Sequence, residues 1–391
     1  MEEKAMNNLQ QFNGERLKAA RIYRGLTVAE LAERLKLQRQ TVSMYENDKI
    51  KNPEYATIKN MSDILGFPIK FFLEESNTNM KIGSTYFRAL LTTNKKYRNQ
   101  QVQKMNFIST VYSFLSEYIE FPAFNFPTVQ GEINPEDAAE RLRNYWNLGD
   151  KPIENIIYLV EQNGILVSRF DSGTNDIDAF SQMLDINGES IFLIGYSKNK
   201  GTAARIHFDI AHELGHMLLH EWSEDIETLS KEEFREIENQ AHAFASAFLL
   251  PREAFSKDVG TYANNISYYI ELKKKWKVSI SAMIRRAYTL NLIDYSTYQN
   301  LMRRMQKEGI KKHEPLDDVL ITAIPSLLKT SVQMLVNDGI LTSKEFLNEL
   351  ANEYKLSLES KEIEELLDLP REFLKVSNVI PIHSLKVKNN F

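Results

Sequence analysis

Residues 212–216 read His-Glu-Leu-Gly-His, and no other stretch so narrows what this chain can fold into. The surrounding run from Ala203 to His220 has no proline and carries apolar residues at Ile206, Ile210, Leu214, Met217 and Leu218, the spacing of one helix. Residues four apart share a helix face and stand about 6 Å apart along the axis. His212 and His216 therefore present two imidazoles to one point, where each can reach a metal ion at roughly 2.0–2.1 Å. Glu213, one residue on, is poorly placed to ligate and well placed to reach a water beside the ion. Met217-Leu218-Leu219 implies that the other flank of the helix packs into a core.

The chain of 391 residues has no cysteine. Disulfides and thiolate-bound zinc are thereby excluded, and a metal must be held by histidine and carboxylate. His-Glu-x-x-His is the arrangement of zinc peptidases, so one Zn2+ is the expected cofactor. The length implies two or three domains. The first residues contain no apolar signal core and no apolar run approaches eighteen residues, so the expectation is a cytoplasmic protein with no membrane partner. The net charge of -5 selects no partner by itself.

A third ligand must come from another segment. In Ile237-Glu-Asn-Gln-Ala-His-Ala-Phe-Ala-Ser-Ala-Phe-Leu-Leu-Pro251, Glu238 and His242 are four apart and share a helix face, while Ala241, Phe244, Ala245, Phe248 and Leu249 form a packing face. Small alanines there let two helices approach closely. Glu238 is the expected third ligand, with His242 orienting a ligand histidine; the reverse assignment, His242 on the metal, is the competing reading. His220 lies about 12 Å along the axis from His212 and cannot share the ion, so it is expected to be structural. His207, about 140° off the face of His212, is expected to pack or hydrogen-bond. The acidic run Glu221 to Glu238 reads as a solvated loop and helix face.

Near the N-terminus, residues 12–75 divide into short amphipathic helices. Gly25 ends the first, and Thr27 with Glu30 forms a capping box for Val28 to Leu35. Leu31, Ala32, Leu35, Leu37, Val42 and Tyr45 give the apolar skeleton of two helices joined by a tight turn. This segment resembles the helix-turn-helix domain of the XRE (Cro/repressor) family, through Leu31-Ala32, Val42-Ser43, Tyr45-Glu46, Pro53 and Ile64-Leu65-Gly66. It departs from the pattern at Lys36, where glycine is common, and at Tyr45, where tryptophan is common. In such a domain the start of the second helix enters the major groove. Gln38, Arg39, Gln40 and Ser43 would then face base edges, and Lys49 and Lys51 would lie near phosphate. Double-stranded DNA is the partner this implies; an interaction domain with solvated basic residues is the blander alternative.

Residues 76–125 read as a basic linker and helix: Asn77 to Lys104 holds six Lys/Arg and no acid, and helical periodicity runs from Val102 to Ile119. Phe121-Pro122 and Phe126-Pro127 suggest a domain boundary. Two helices follow, Asn134 to Gly149 and Ile153 to Gln162, and then three strands, Ile165 to Phe170, Ala179 to Leu184 and Ser190 to Tyr196. Asn187-Gly188 marks a hairpin. The strand Ser190 to Tyr196 is the candidate edge to which an extended substrate adds. Beyond residue 256, helical periodicity covers 257–315 and resumes at Val319 to Leu328, Val332 to Leu335, Phe346 to Leu350 and Ile363 to Leu367. Residues 316–391 carry no catalytic constellation; His313 and His383 are isolated, and a homodimer contact, a regulatory partner or completion of the core are all open to this part.

Arg205 to His220, Glu238-Asn-Gln-Ala-His-Ala-Phe-Ala, Phe248-Leu-Leu-Pro251, Trp276 to Ala287 and Glu314-Pro315 together resemble the ImmA/IrrE family of metallopeptidases, over roughly residues 85–315. The resemblance implies a zincin-like α+β domain at 126–256, a helical extension at 257–315, Glu238 as ligand and His242 as the residue behind a ligand. The fold class expected is mainly α with a small β-sheet. It also implies a site-specific endopeptidase acting on a repressor in a stress-response or mobile-element circuit. Glu213 would be the general base, and Tyr196 and His207 are candidates for a second oxyanion donor. Two other functions fit the same residues: a transcriptional regulator whose metal domain is a sensor or scaffold, and a toxin or defence effector held by a partner.

Overall fold

A computed structural model describes residues 11–75, 80–87, 95–129, 131–171, 179–186, 189–198, 201–220 and 229–376. The chain is mainly helical with one small sheet, as expected. Four helices come first among the described residues: α1 (Gly14–Tyr23), α2 (Val28–Leu35), α3 (Arg39–Glu46) and α4 (Tyr55–Leu65). Thr27 and Glu30 form the expected capping box of α2. Lys36 takes the left-handed conformation at φ 57 that closes α2, so the turn keeps the geometry that glycine favours even though a side chain is present. Leu31, Ala32, Leu35, Val42 and Tyr45 are buried. Beneath them Arg21 Nε and Nη2 donate to the two Glu46 carboxylate oxygens at 2.5 and 2.9 Å, a buried bidentate pair that fixes α1 against α3.

The stretch expected as linker and helix is part of the body of the protein. Strand β1 (Met80–Phe87) joins a sheet and α5 (Lys95–Leu115) packs on it. Helices α6 (Pro135–Tyr145) and α7 (Ile156–Gln162) precede the three expected strands, β2 (Ile165–Phe170), β3 (Ala179–Ile186) and β4 (Glu189–Ser197). The sheet order is β1-β3-β4-β2, with β1/β3 and β3/β4 antiparallel and β2/β4 parallel. The β3/β4 ladder closes at Ile186 and Glu189; Asn187-Gly188 lies outside the described residues. Strand β4 was the expected substrate edge and is interior, hydrogen-bonded on both sides. Strand order is a long-range property that alternation within one strand does not encode.

Alternating residues send the two faces of the sheet into two cores. Phe180, Leu184, Leu166 and Leu193 join the core built with α1–α5 and the C-terminal helices. Ala179, Ile165, Val167 and Ile194 join the other, built on α8 (Ala203–Leu219), α9 (Lys231–Leu249), α10 (Arg252–Val259), α11 (Ile266–Trp276), α12 (Ile280–Thr289) and α13 (Tyr295–Lys307). Glu314 is buried and accepts bonds from Ile280 N, Ser281 N, Ser281 Oγ and Lys273 Nζ. It thus satisfies the orphan amides at the start of α12, a structural reason for its place in the motif series.

The expected helix from Val319 to Leu328 does not form. Residues 320–326 are irregular, and α14 (Leu327–Asn337) begins only after Pro325. Val319, Ile321 and Thr322 are β-branched and Pro325 disfavours helix before it. Glu161 of α7 accepts from Ser326 N and Leu327 N at 3.2 Å each and so caps α14 from outside. Helices α15 (Ser343–Asn352) and α16 (Ser360–Leu366) complete the described chain. They seat the N-terminal helices: Arg24 Nη2 and Tyr23 OH each donate to Glu362 at 2.7 Å, Arg16 Nη2 donates to Lys355 O at 2.6 Å, and Ser357 Oγ donates to Glu74. Among the described residues no helix is long and apolar enough to cross a membrane.

Candidate metal centre

Helix α8 runs beneath β3 and β4 and is buried along most of its length. Thr202 caps its start by accepting from Arg205 N. Its tight seat on α9 depends on Gly215, where an added Cβ would stand 3.0 Å from Phe244 Cδ1 and 3.2 Å from Ala241 Cα. That approach brings Glu238 of α9 to the histidines of α8. His212 Nε2 and His216 Nε2 are 3.0 Å apart; Glu238 Oε2 lies 3.5 Å from the first and Glu238 Oε1 3.2 Å from the second.

These three are the group of donors able to hold a metal among the described residues. Ligand atoms on a tetrahedral zinc with bonds of 2.0–2.1 Å stand about 3.3 Å apart, and the observed separations bracket that value. The donor chemistry also fits. Burial holds the His212 imidazolium well below its usual range, so the ring is neutral and offers a lone pair. Burial works to raise the Glu238 carboxyl, but the hydrogen bonds with His212 and His216 outweigh it and hold the group below the usual carboxylate range.

Glu213 is fully buried, and its Oε2 accepts a 2.6 Å bond from Ser181 Oγ on β3. The sequence offers little to mark Ser181 beyond a polar residue at an inward strand position. Two further histidines flank the ligand candidates. His220, expected to be merely structural, sits with Nδ1 3.1 Å from His216 Nδ1 and Nε2 3.2 Å from Gln240 Oε1. It thus stands at the His216 ring nitrogen opposite the one that meets Glu238; burial pushes its own pKa down to about 4. His242, expected to orient a ligand, lies ring to ring with His212 at 4.5 Å and with Phe208 at 5.8 Å.

The two oxyanion candidates are His207 and Tyr196. His207 Nε2 is 3.3 Å from Thr322 Oγ1, and burial lowers its pKa to about 3. Tyr196 is buried, and the charges acting on it are Arg169, Asp368 and Glu161. In the acidic run, residues 221–228 lie outside the described residues; Glu232, Glu233 and Glu236 are exposed. His313 is exposed and lies 3.0 Å from Asp318, while His383 lies outside the described residues.

On the helix-turn-helix, Gln38, Arg39, Gln40, Lys49 and Lys51 are exposed around the start and end of α3, and Ser43 is half-buried with Asn47 Nδ2 donating to its carbonyl at 2.6 Å. Parts of the basic stretch that follows are used internally: Lys96 Nζ lies 2.8 Å from Glu30 Oε1, and Lys104 Nζ donates to Asp171 O at 3.1 Å.

Two family models match the chain. One, described as a helix-turn-helix domain, covers residues 14–75. The other, Peptidase M78, described as the IrrE N-terminal-like domain, covers residues 160–288 and so takes in β2–β4, the His-Glu-x-x-His helix and Glu238. No curated protein matches the chain.

Proposed function

We propose that this chain, a helix-turn-helix DNA-binding protein with a metallopeptidase-family domain, is a zinc-dependent, site-specific endopeptidase whose substrate is a transcriptional repressor or regulator in a stress-response or mobile-element circuit. One observation carries the reading: two imidazole nitrogens and a carboxylate converge at zinc-ligand spacing, with a second carboxylate beside them that is held by a different element. A purely metal-binding module has no use for that second carboxylate.

His212, His216 and Glu238 would hold the ion, His220 fixing the ring of His216 and His242 flanking His212. Zinc supplies Lewis acidity for a peptide carbonyl and brings the acidity of water toward neutrality. Glu213 takes the proton of the attacking water and returns it to the leaving amine nitrogen. Ser181 holds one Glu213 oxygen and so fixes the carboxylate. On the DNA side, Gln38, Arg39, Gln40 and Ser43 would read bases, and Lys49 and Lys51 would contact phosphate.

The test compares new protein termini in cells expressing the wild type, Glu213→Gln or Arg39→Ala. The proposal expects one or a few cuts in a regulator that vanish with Glu213→Gln. If the cellular phenotype survives Glu213→Gln and is lost with Arg39→Ala, the metal domain is a sensor and the peptidase reading is wrong.

A further inference from the structure

The strand that flanks the catalytic carboxylate is β3, and its outer edge is already occupied. Ser181 of β3 bonds Glu213 at 2.6 Å, and the residue opposite Ser181 on the next strand is Tyr86 of β1. Neighbouring strands lie about 4.8 Å apart, so β1 runs one strand spacing from the residue that touches the general base. It pairs antiparallel with β3 from Met80↔Ile186 to Phe87↔Phe180. Without β1, β3 would be an open edge beside the candidate centre, the kind of edge to which an extended peptide adds by main-chain bonds.

We propose that β1 occupies the substrate's place: the peptidase binds its substrate as an extended segment antiparallel to β3, and Met80–Phe87 is a built-in competitor for that position. The inference rests on the peptidase reading given above. Three observations bear on it. The match to the peptidase family begins at residue 160 and does not include β1, so the strand lies outside the matched segment. The β1/β3 ladder is irregular: Ile82 pairs with Leu184 and Thr85 with Gln182, which sets Gly83 and Ser84 against Met183 alone. A bulge of this kind interrupts the ladder, and glycine in a strand weakens it, as suits an occupant that must leave. Finally, Gln182 is fully buried on the face of β3 that carries Phe180 and Leu184, and among the described residues neither its Oε1 nor its Nε2 has a hydrogen-bond partner; a different neighbouring strand can satisfy such a group.

The absence of cysteine makes the test clean. Lys81→Cys with Asp185→Cys places one thiol pair across the ladder, with no other thiol in the chain. A second variant replaces Met80–Phe87 by eight glycine and serine residues. Hydrogen exchange at β3 amides reports whether the edge is covered, and cleavage of a denatured, proteome-derived peptide library by the zinc-loaded full chain reports whether it is usable. The expected result is at least tenfold slower cleavage in the oxidised pair than after reduction, and at least tenfold faster cleavage in the glycine–serine variant, with β3 amides exchanging faster there. If the wild type cuts and neither variant changes its rate, β1 is only a structural strand and this proposal alone falls. If no form cuts, including one whose β3 edge is shown to be open, the peptidase reading fails and the proposal falls with it.

Discussion

Ser181 on β3 donates a 2.6 Å hydrogen bond to Oε2 of Glu213 on α8, both residues being at most 1 % exposed. The bond ties the candidate general base to the sheet instead of to its own helix. Ser181→Ala removes a donor from a buried carboxylate, a loss of about 1–3 kcal/mol. As a positioning residue it should lower kcat by about 10- to 100-fold with KM and zinc content nearly unchanged, and Ser181→Thr should restore much of the rate. A loss of zinc equal to that of a ligand variant would show that Ser181 acts on folding of the site.

The ligand set and the residues behind it should separate by metal analysis. Glu238→Ala removes one of three donors and should abolish stoichiometric zinc, whereas Glu213→Gln should keep zinc and lose activity. His220→Ala leaves all three donors but frees the ring of His216, so zinc affinity should fall about 10- to 100-fold. Zinc content by elemental analysis after dialysis against a graded chelator checks all three. Unchanged affinity in His220→Ala would return that residue to a packing role.

Gly215→Ala pits two effects against each other. Alanine in a helix gains about 1 kcal/mol over glycine, but its Cβ would stand 3.0 Å from Phe244 Cδ1, and overpacking costs about 1–3 kcal/mol. The clash should win, lowering stability by about 1 kcal/mol and weakening zinc binding as α8 and α9 separate. Thermal unfolding with and without zinc checks it; a more stable variant with full zinc affinity refutes the close-approach argument.

Glu161 makes stability depend on pH near neutrality. Burial raises its pKa to about 7, against the lowering effect of bonds from Leu327 N and Ser326 N and Oγ. A carboxyl raised in the folded state binds its proton more tightly there than in the unfolded chain. Its contribution is therefore full below about pH 4.5 and is lost as pH rises through about 7, by roughly 3 kcal/mol at most. Denaturant unfolding between pH 5 and 8 should show stability falling with pH in the wild type and a shallower slope in Glu161→Gln. Equal slopes would mean that the cap of α14 does not titrate there.

The His-Glu-x-x-His helix, the helix that brings Glu238 beside it and the helix-turn-helix were legible because each rests on local spacing. Imidazoles at i and i+4, an alanine-rich partner helix and a capping box at Thr27 all declare themselves within a few turns. What was missed is non-local. Met80 to Phe87 reads poorly as a strand because Gly83-Ser84 breaks its alternation, and only the register against β3 explains the extra residue. Strand β4 has the alternation of an edge or of an interior strand equally. Ser181 gains meaning only when β3 is laid over α8. His220 stands too far along the axis from His212 to share an ion with it, whereas its partner is His216, one turn away.

The seat of the N-terminal helices has a consequence for how the chain is made. Arg24 and Glu362 are 338 residues apart in sequence, and Arg16 and Lys355 are 339 apart. These are among the longest closures the chain can form, and loops of that length are slow to form and settle late. On the ribosome, domains fold from the N-terminus as they emerge. The helix-turn-helix is therefore complete while part of what seats it is still untranslated, and a product truncated before residue 355 keeps its packing on α5 but lacks the bonds that Arg16 and Arg24 make to Lys355 and Glu362.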